Sequence, residues 1–177
     1  MRPPMEALRV ERLSPDLSGI ALREVPSPSL ADGNVLVRVR AASLNYPDLL
    51  MTRGDYQFKP EPPFTLGMEL AGEVVEAAPG SAFAVGDRVR GGAKTGAMAG
   101  FAAITETSLR RIPDEIAFGT AAAMGAAYNT AYVALVELGD LIAGQTVLVH
   151  GASGGVGLAA CDLARALGAK VIAASHR

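Results

Sequence analysis

The stretch Gly151-Ala152-Ser153-Gly154-Gly155-Val156-Gly157 has residue types and spacing that could do chemistry. A pyrophosphate is held by exposed backbone N–H groups at the positive end of a helix, with no side chain in the way. Ala152-x-Gly154-x-x-Gly157 meets that need: a small first residue permits the tight turn, Gly154 lets the backbone approach the phosphates, and Gly157 lets helix and strand pack closely. A purely structural turn could use the same glycines, so the flanking sequence decides. Thr146 to His150 is a short apolar run with β-branched residues, Val156, Ala160, Leu163 and Leu167 fall at helical spacing, Gly168 can cap that helix, and Lys170 to Ala174 reads as a second strand. Strand, glycine turn, helix and strand make one βαβ unit, so residues 152–157 are read as a dinucleotide cradle.

In such a cradle an acidic residue at the end of the second strand accepts hydrogen bonds from the adenosine ribose of NAD, whereas a basic or small polar residue accommodates the phosphate of NADP. That end here reads Ala174-Ser175-His176-Arg177, with no carboxylate. Ser175 and Arg177 therefore favour NADPH over NADH. The alternative for Arg177 is a frayed, solvated terminus.

The elements that must position these residues fall into two regions. Val35 to Arg40 alternates as a half-buried strand, Leu70 to Ala77 is a second candidate closed by Pro79-Gly80, Val85 to Val89 turns into a third, and Gly100 to Thr105 is a fourth. Short strands between Gly and Pro suggest a small barrel or sandwich. After Pro113-Asp114 the composition changes to buried, Ala-rich helical sequence from about Thr120 to Leu138, followed by the βαβ unit. The division expected is residues 1–125 and residues 126–177.

Composition narrows the function classes. With 177 residues, 50% hydrophobic, 19% charged and a net charge of −2, the chain has the balance of a soluble globular protein and no basic surplus to attract nucleic acid. One cysteine, Cys161, and two histidines are too few for a thiolate-type structural zinc site or an internal disulfide. Cys161 is expected to be an inert core residue. Ile116 to Val136 carries no charge, but its Ala, Gly, Thr, Asn and Tyr content argues against a membrane span. The N-terminus lacks the apolar run of a secretory signal, which points to the cytoplasm.

Several motifs in order carry a resemblance: Met5-x-Ala7-Leu8, Ser43-Leu44-Asn45-Tyr46-Pro47-Asp48, Gly54-x-Tyr56, Pro63-Phe64-Thr65-Leu66-Gly67-Met68-Glu69, Gly86-Asp87-Arg88-Val89 and the glycine turn. Together they resemble the zinc-free quinone oxidoreductase branch of the medium-chain dehydrogenase/reductase superfamily. The resemblance implies a β + α/β fold, a GroES-like β-barrel domain followed by the first βαβ unit of a Rossmann domain, with substrate and nicotinamide between the two. Zinc-dependent relatives keep cysteine, histidine and cysteine as catalytic ligands; the matching positions here are Asn45, Met68 and Ala126, none a plausible zinc ligand.

The implied reaction is hydride transfer from NADPH to a quinone or an α,β-unsaturated carbonyl. By the family pattern Asn45 lies near the nicotinamide ribose and the acceptor, Tyr56 offers a phenol donor or a stacking face, and Thr130 contacts the nicotinamide end. Each has a plainer alternative. Asn45 can cap the helix expected from about Pro47 to Arg53, Tyr56 can be a packed loop aromatic, and Glu69, which with Asp48 sits where family motifs keep acids, is read as a paired structural charge rather than a proton donor. The sequence stops after the second Rossmann strand, so the expectation is a piece of a longer reductase whose complete form is a homodimer. The competing readings are an enoyl-thioester reductase and a non-catalytic binding module.

Overall fold

The computed structural model of the chain describes residues 2–176. In chain order the strands and helices are β1 (Met5–Val10), β2 (Ile20–Val25), β3 (Asn34–Ser43), α1 (Tyr46–Arg53), β4 (Phe64–Thr65), β5 (Glu69–Ala77), β6 (Arg88–Gly92), β7 (Phe101–Thr105), β8 (Leu109–Arg111), α2 (Phe118–Ala123), α3 (Ala126–Tyr132), β9 (Thr146–His150), α4 (Gly155–Ala166) and β10 (Lys170–Ala174). They divide into two compact units, Met1–Ala123 and Met124–Arg177.

The first unit is built on two antiparallel sheets, one ordered β7-β3-β5-β6-β8 and the other β2-β1-β4. Alternation along β3 and β5 sends Val35, Val37, Leu70 and Val74 into a core shared with Val89, Ile104 and Leu109. The opposite face of β5 is also covered, because Ala71 packs with Ala121 and Ala122 of α2 and with Ile112. A residue with a side chain cannot replace Gly72 between them: a Cβ there would stand 2.0 Å from the Arg38 carbonyl oxygen, across a register shift between Val39 and Ala41. A second cluster of Val10, Met51, Phe64 and Leu66 packs α1 against β1 and β4.

The helix α1 begins where the sequence signals agree. Asn45 is its N-cap with extended backbone, Pro47 sits in the first turn, Asp48 is acidic in that turn, and Gly54 ends the helix in the left-handed region at φ 76°. The strands read from alternation also form, with ends moved by a few residues; the third runs Arg88–Gly92 rather than ending at Val89. The strands β1, β2, β4 and β8 carry no clean alternation, and nothing local marks them as strands.

The second unit holds α3, α4 and a parallel pair of strands, β9 beside β10, with Val147 opposite Val171 and Leu148 opposite Ile172. One expectation is corrected here. The Ala-rich stretch is not one buried helix: it breaks between Ala123 and Ala126, where Gly125 is the N-cap of α3, and widens to a π-helical turn over Val133–Glu137. Only Ala121, Ala122 and Ala131 of its helical residues are buried; polar Thr120, Asn129 and Thr130 are exposed, and so are apolar Ala123, Ala126, Tyr132 and Val133. On α4 the fully buried positions are Ala159 and Ala164, whereas Val156 and Leu167 are exposed. Among the described residues no helix is long and apolar enough to cross a membrane.

Candidate functional site

In the first unit, the β3–β5 register sets Ser43, the last residue of β3, opposite Glu69, the first of β5. The Ser43 hydroxyl donates to Glu69 Oε2 at 2.9 Å, and the Asn45 carboxamide nitrogen donates to the same oxygen at 2.8 Å and to Ser43 Oγ at 3.1 Å. The Asn45 backbone is held separately, its N–H donating to Asp48 Oδ2 at 2.8 Å. Asn45 is thus both the N-cap of α1 and a member of a polar cluster in which the Glu69 carboxylate accepts from two neutral donors, Ser43 and Asn45. Ser43 opens the motif that contains Asn45 but has no role readable from the sequence, since its contact with Glu69 spans 26 residues.

Asp48 is fully buried at the start of α1. Burial pushes its carboxyl above the ordinary value of 3.8, the backbone N–H groups of Asn45, Gly67 and Met68 oppose that rise, and the nearby Glu69 charge adds to it. The N–H groups of Gly67 and Met68 act without completing a hydrogen bond to Asp48 Oδ1, which is left without a partner. Tyr56 is half-buried against the cluster of Val10, Met51, Phe64 and Leu66, so the packed reading describes its ring. Met68 packs at the edge of the same cluster.

In the second unit, β9 runs into Gly151, whose φ of 68° is left-handed, and Gly154 caps α4 with extended backbone. Leu158 N–H is the first to reach back into the helix, to Gly154 O at 2.8 Å. The N–H groups of Gly155, Val156 and Gly157 are therefore the orphan donors of the first turn. The glycines here have different reasons. A Cβ on Gly157 would meet the Gly151 carbonyl oxygen at 2.2 Å, so the chain's own packing excludes it. A Cβ on Gly155 would meet nothing within 4 Å, and on Gly154 only the Gly151 carbonyl oxygen at 3.4 Å, so the fold leaves open space beside those two residues. That space and those donors suit a pyrophosphate.

Ala152 is buried in this turn and donates its N–H to Ala174 O at 3.0 Å, tying the turn to the end of β10. The hydroxyls of Ser153 and Ser175 are 2.6 Å apart, which brings the glycine turn and the strand end together. Arg177 lies outside the described residues. Thr130 is exposed on α3. Sequence reasoning misses Tyr128, whose hydroxyl donates to Asp162 Oδ2 at 2.8 Å and joins α3 to α4; that hydrogen bond to a carboxylate pushes the phenol above its ordinary value. Cys161 is half-buried, not a core residue, because it lies beside Ala164 on a helix whose buried face is narrow. No group of three or more His, Cys, Asp or Glu among the described residues is placed to hold a metal ion.

Residues 31–134 match the alcohol dehydrogenase GroES-like domain family. The chain is 43% identical over 151 residues to a quinone oxidoreductase of Pongo abelii, covering 84% of this chain and 45% of that protein. It is 46% identical over 145 residues to erythronolide synthase EryA2 of Saccharopolyspora erythraea, covering 81% of this chain and 4% of that protein. Among solved structures, the quinone oxidoreductase of Thermus thermophilus, described with its NADPH complex, superposes with a TM-score of 0.84 at 34% identity, covering 98% of this chain and 54% of that one. The chain spans about half the length of the curated quinone oxidoreductases it matches. With its two antiparallel sheets, its capped α1 and its strand, glycine turn and helix, the chain belongs to the alcohol dehydrogenase GroES-like domain family, in the quinone oxidoreductase-like branch of the medium-chain dehydrogenase/reductase superfamily.

Proposed function

We propose that the chain serves an NADPH-dependent oxidoreductase that reduces a quinone or an α,β-unsaturated carbonyl without a metal ion. The observation that carries this reading is the turn before α4: Gly155 has no neighbour within 4 Å of an added Cβ, beside three N–H groups that the helix cannot satisfy. Gly155, Val156 and Gly157 would hold the pyrophosphate by their N–H groups, with Ala152 and Gly154 shaping the turn. Ser153, Ser175 and Arg177 are the groups for the adenosine ribose phosphate, and Asn45 and Thr130 those for the nicotinamide end.

Bound NADPH supplies the hydride. The chain's share is to orient the reactants and to meet charge that builds on the acceptor oxygen. Tyr56, its ring packed against the cluster of Val10, Met51, Phe64 and Leu66, is the donor assigned to that oxygen. Asn45, Met68 and Ala126 offer neither thiolate nor imidazole, so the reaction should proceed undiminished in EDTA.

The test is steady-state oxidation of NADPH with 1,4-benzoquinone in the presence of EDTA, together with dissociation constants for NADPH and NADH. Quinone turnover and tighter binding of NADPH are expected; tighter NADH binding overturns the cofactor assignment. The likeness to a polyketide synthase segment supports a second reading, an enoyl-thioester reductase. Turnover of a crotonyl thioester with no quinone turnover would select it, and a folded protein that turns over neither would be a binding module.

A further inference from the structure

We infer that an open cavity in the first unit, lined by β1, β4, β7 and the segment after β2, is a binding site for a small monocarboxylate with an apolar chain. The cavity exists because the seam between the two sheets closes only part of the way. It is joined where Leu8 N–H donates to Met98 O at 2.9 Å and Gly100 N–H donates to Glu6 O at 3.0 Å. Val39 N–H donates to Gly100 O at 3.0 Å, which makes these two a hydrogen-bonded pair of the β3–β7 ladder. By alternation Phe101 and Ala103 then direct their N–H and C=O groups away from β3. The Phe101 N–H meets the Met5 sulfur at 3.2 Å, and beyond it Ala103 lines the cavity together with Val25, Pro26 and Pro28. Proline has no N–H to give, so that segment cannot continue the ladder and the seam stays open. The space left is about 390 Å³, at the small end of the range for ligand pockets.

Arg9 is the only ionisable side chain among the residues that line this space. Its guanidinium donates to two neutral acceptors, Thr65 Oγ1 at 3.1 Å and Pro63 O at 2.9 Å. Those bonds hold the fork in place without cancelling its charge. The β1–β2 register puts Arg9 opposite Ala21 and Ala7 opposite Arg23, so the two arginines share a face, and the acid on that face, Glu11, pairs with Arg23 at 3.5 Å. Among the described residues no carboxylate pairs with Arg9. One guanidinium balances one negative charge, which favours a carboxylate over a phosphate dianion, and each terminal nitrogen keeps a second proton for it. The apolar chain would lie on Met5, Val25, Pro26 and Pro28. None of these residues is assigned to NADPH, so the site stands or falls apart from the cofactor reading.

The test is NMR of isotope-labelled methionine methyl groups in the intact protein, titrated with butyrate, hexanoate, octanoate and octan-1-ol. The Met5 methyl should shift saturably with the carboxylates, whereas those of Met51 and Met124, which do not line the cavity, should not. Each added methylene should tighten binding by about fourfold, the worth of one buried CH₂, until the cavity is filled. Octan-1-ol has a chain of the same length and no charge, and should bind about tenfold or more weakly than octanoate. Arg9→Gln should weaken octanoate by a similar factor, and Arg9→Lys should recover part of the loss. A Met5 methyl left unshifted by octanoate overturns the inference, and so does undiminished octanoate binding by a folded Arg9→Gln. Equal affinity for octanoate and octan-1-ol also overturns it, and that comparison reads the charge without any substitution. Saturable shifts at Met51 or Met124 in place of Met5 overturn it as well, by moving the carboxylate to another site.

Discussion

Asp48 carries an ionisable group into a place with no access to water, and its two oxygens are treated unequally: Oδ2 accepts the Asn45 N–H while Oδ1 has no partner. Such a group titrates to the detriment of the fold. Its pKa is raised above the ordinary 3.8, mainly by burial, so the folded chain holds the proton where the unfolded chain has released it. The stability contributed by the protonated form is complete below the ordinary value and is lost as pH rises through the raised one. The substitution Asp48→Asn does not titrate and keeps an oxygen to accept the Asn45 N–H. Its stability relative to wild type should therefore climb as pH rises across that window, as read by urea unfolding at a series of pH values. A difference that stays flat or falls would show that Asp48 does not take up a proton on folding. Asp48→Ala, which also removes the acceptor at the cap, should cost about 1 kcal/mol at low pH, and the cost should shrink as pH rises across the same window.

At the scale of elements, the turn into α4 separates what the fold needs from what a ligand needs. Gly157→Ala places a Cβ 2.2 Å from one backbone atom and 2.8 Å from another, so the helix must move, at a cost of about 1–3 kcal/mol in unfolding free energy. Gly155→Ala meets nothing, so stability should stay within about 0.5 kcal/mol of wild type. If the space beside Gly155 is for a pyrophosphate, the same substitution should weaken NADPH binding by about tenfold or more. Unaltered NADPH affinity in Gly155→Ala would leave the turn purely structural. The turn, α1 and the central strands are legible because their signals are local: glycine spacing, an N-cap with Pro and Asp behind it, and alternation. What escapes is set by pairing across distance. The strand β1, with Glu6 and Arg9 among its apolar residues, is a strand because Leu8 lies opposite Leu22 and Val10 opposite Ile20. Likewise Ser43 finds Glu69 26 residues on, and Tyr128 finds Asp162 34 residues on.

Across the whole molecule, burial is unequal between the two units, and that inequality should be visible in dynamics. The first unit encloses three apolar clusters, and Val35, Val37 and Leu70 are fully inaccessible. The second unit sets Leu148 against Ile172 on its two parallel strands, and these side chains are 53% and 55% exposed. Parallel strands ordinarily have both faces covered, and a two-stranded sheet is marginal by itself. Local opening of β9 and β10 should therefore need far less free energy than opening of β3 and β5. Native-state hydrogen exchange on residues 1–177 should find the slowest amides at Val35, Val37, Leu70 and Val74, with Val147, Leu148, Val171 and Ile172 exchanging through a lower-energy opening. Replacing the exposed pair together, Leu148→Thr with Ile172→Thr, should leave the slow amides untouched, because neither side chain belongs to the three clusters. If β9 and β10 instead share the slowest exchange of β3 and β5, or if the double replacement speeds exchange in the first unit, the two units unfold as one, and the apolar clusters of the first unit do not set its stability alone.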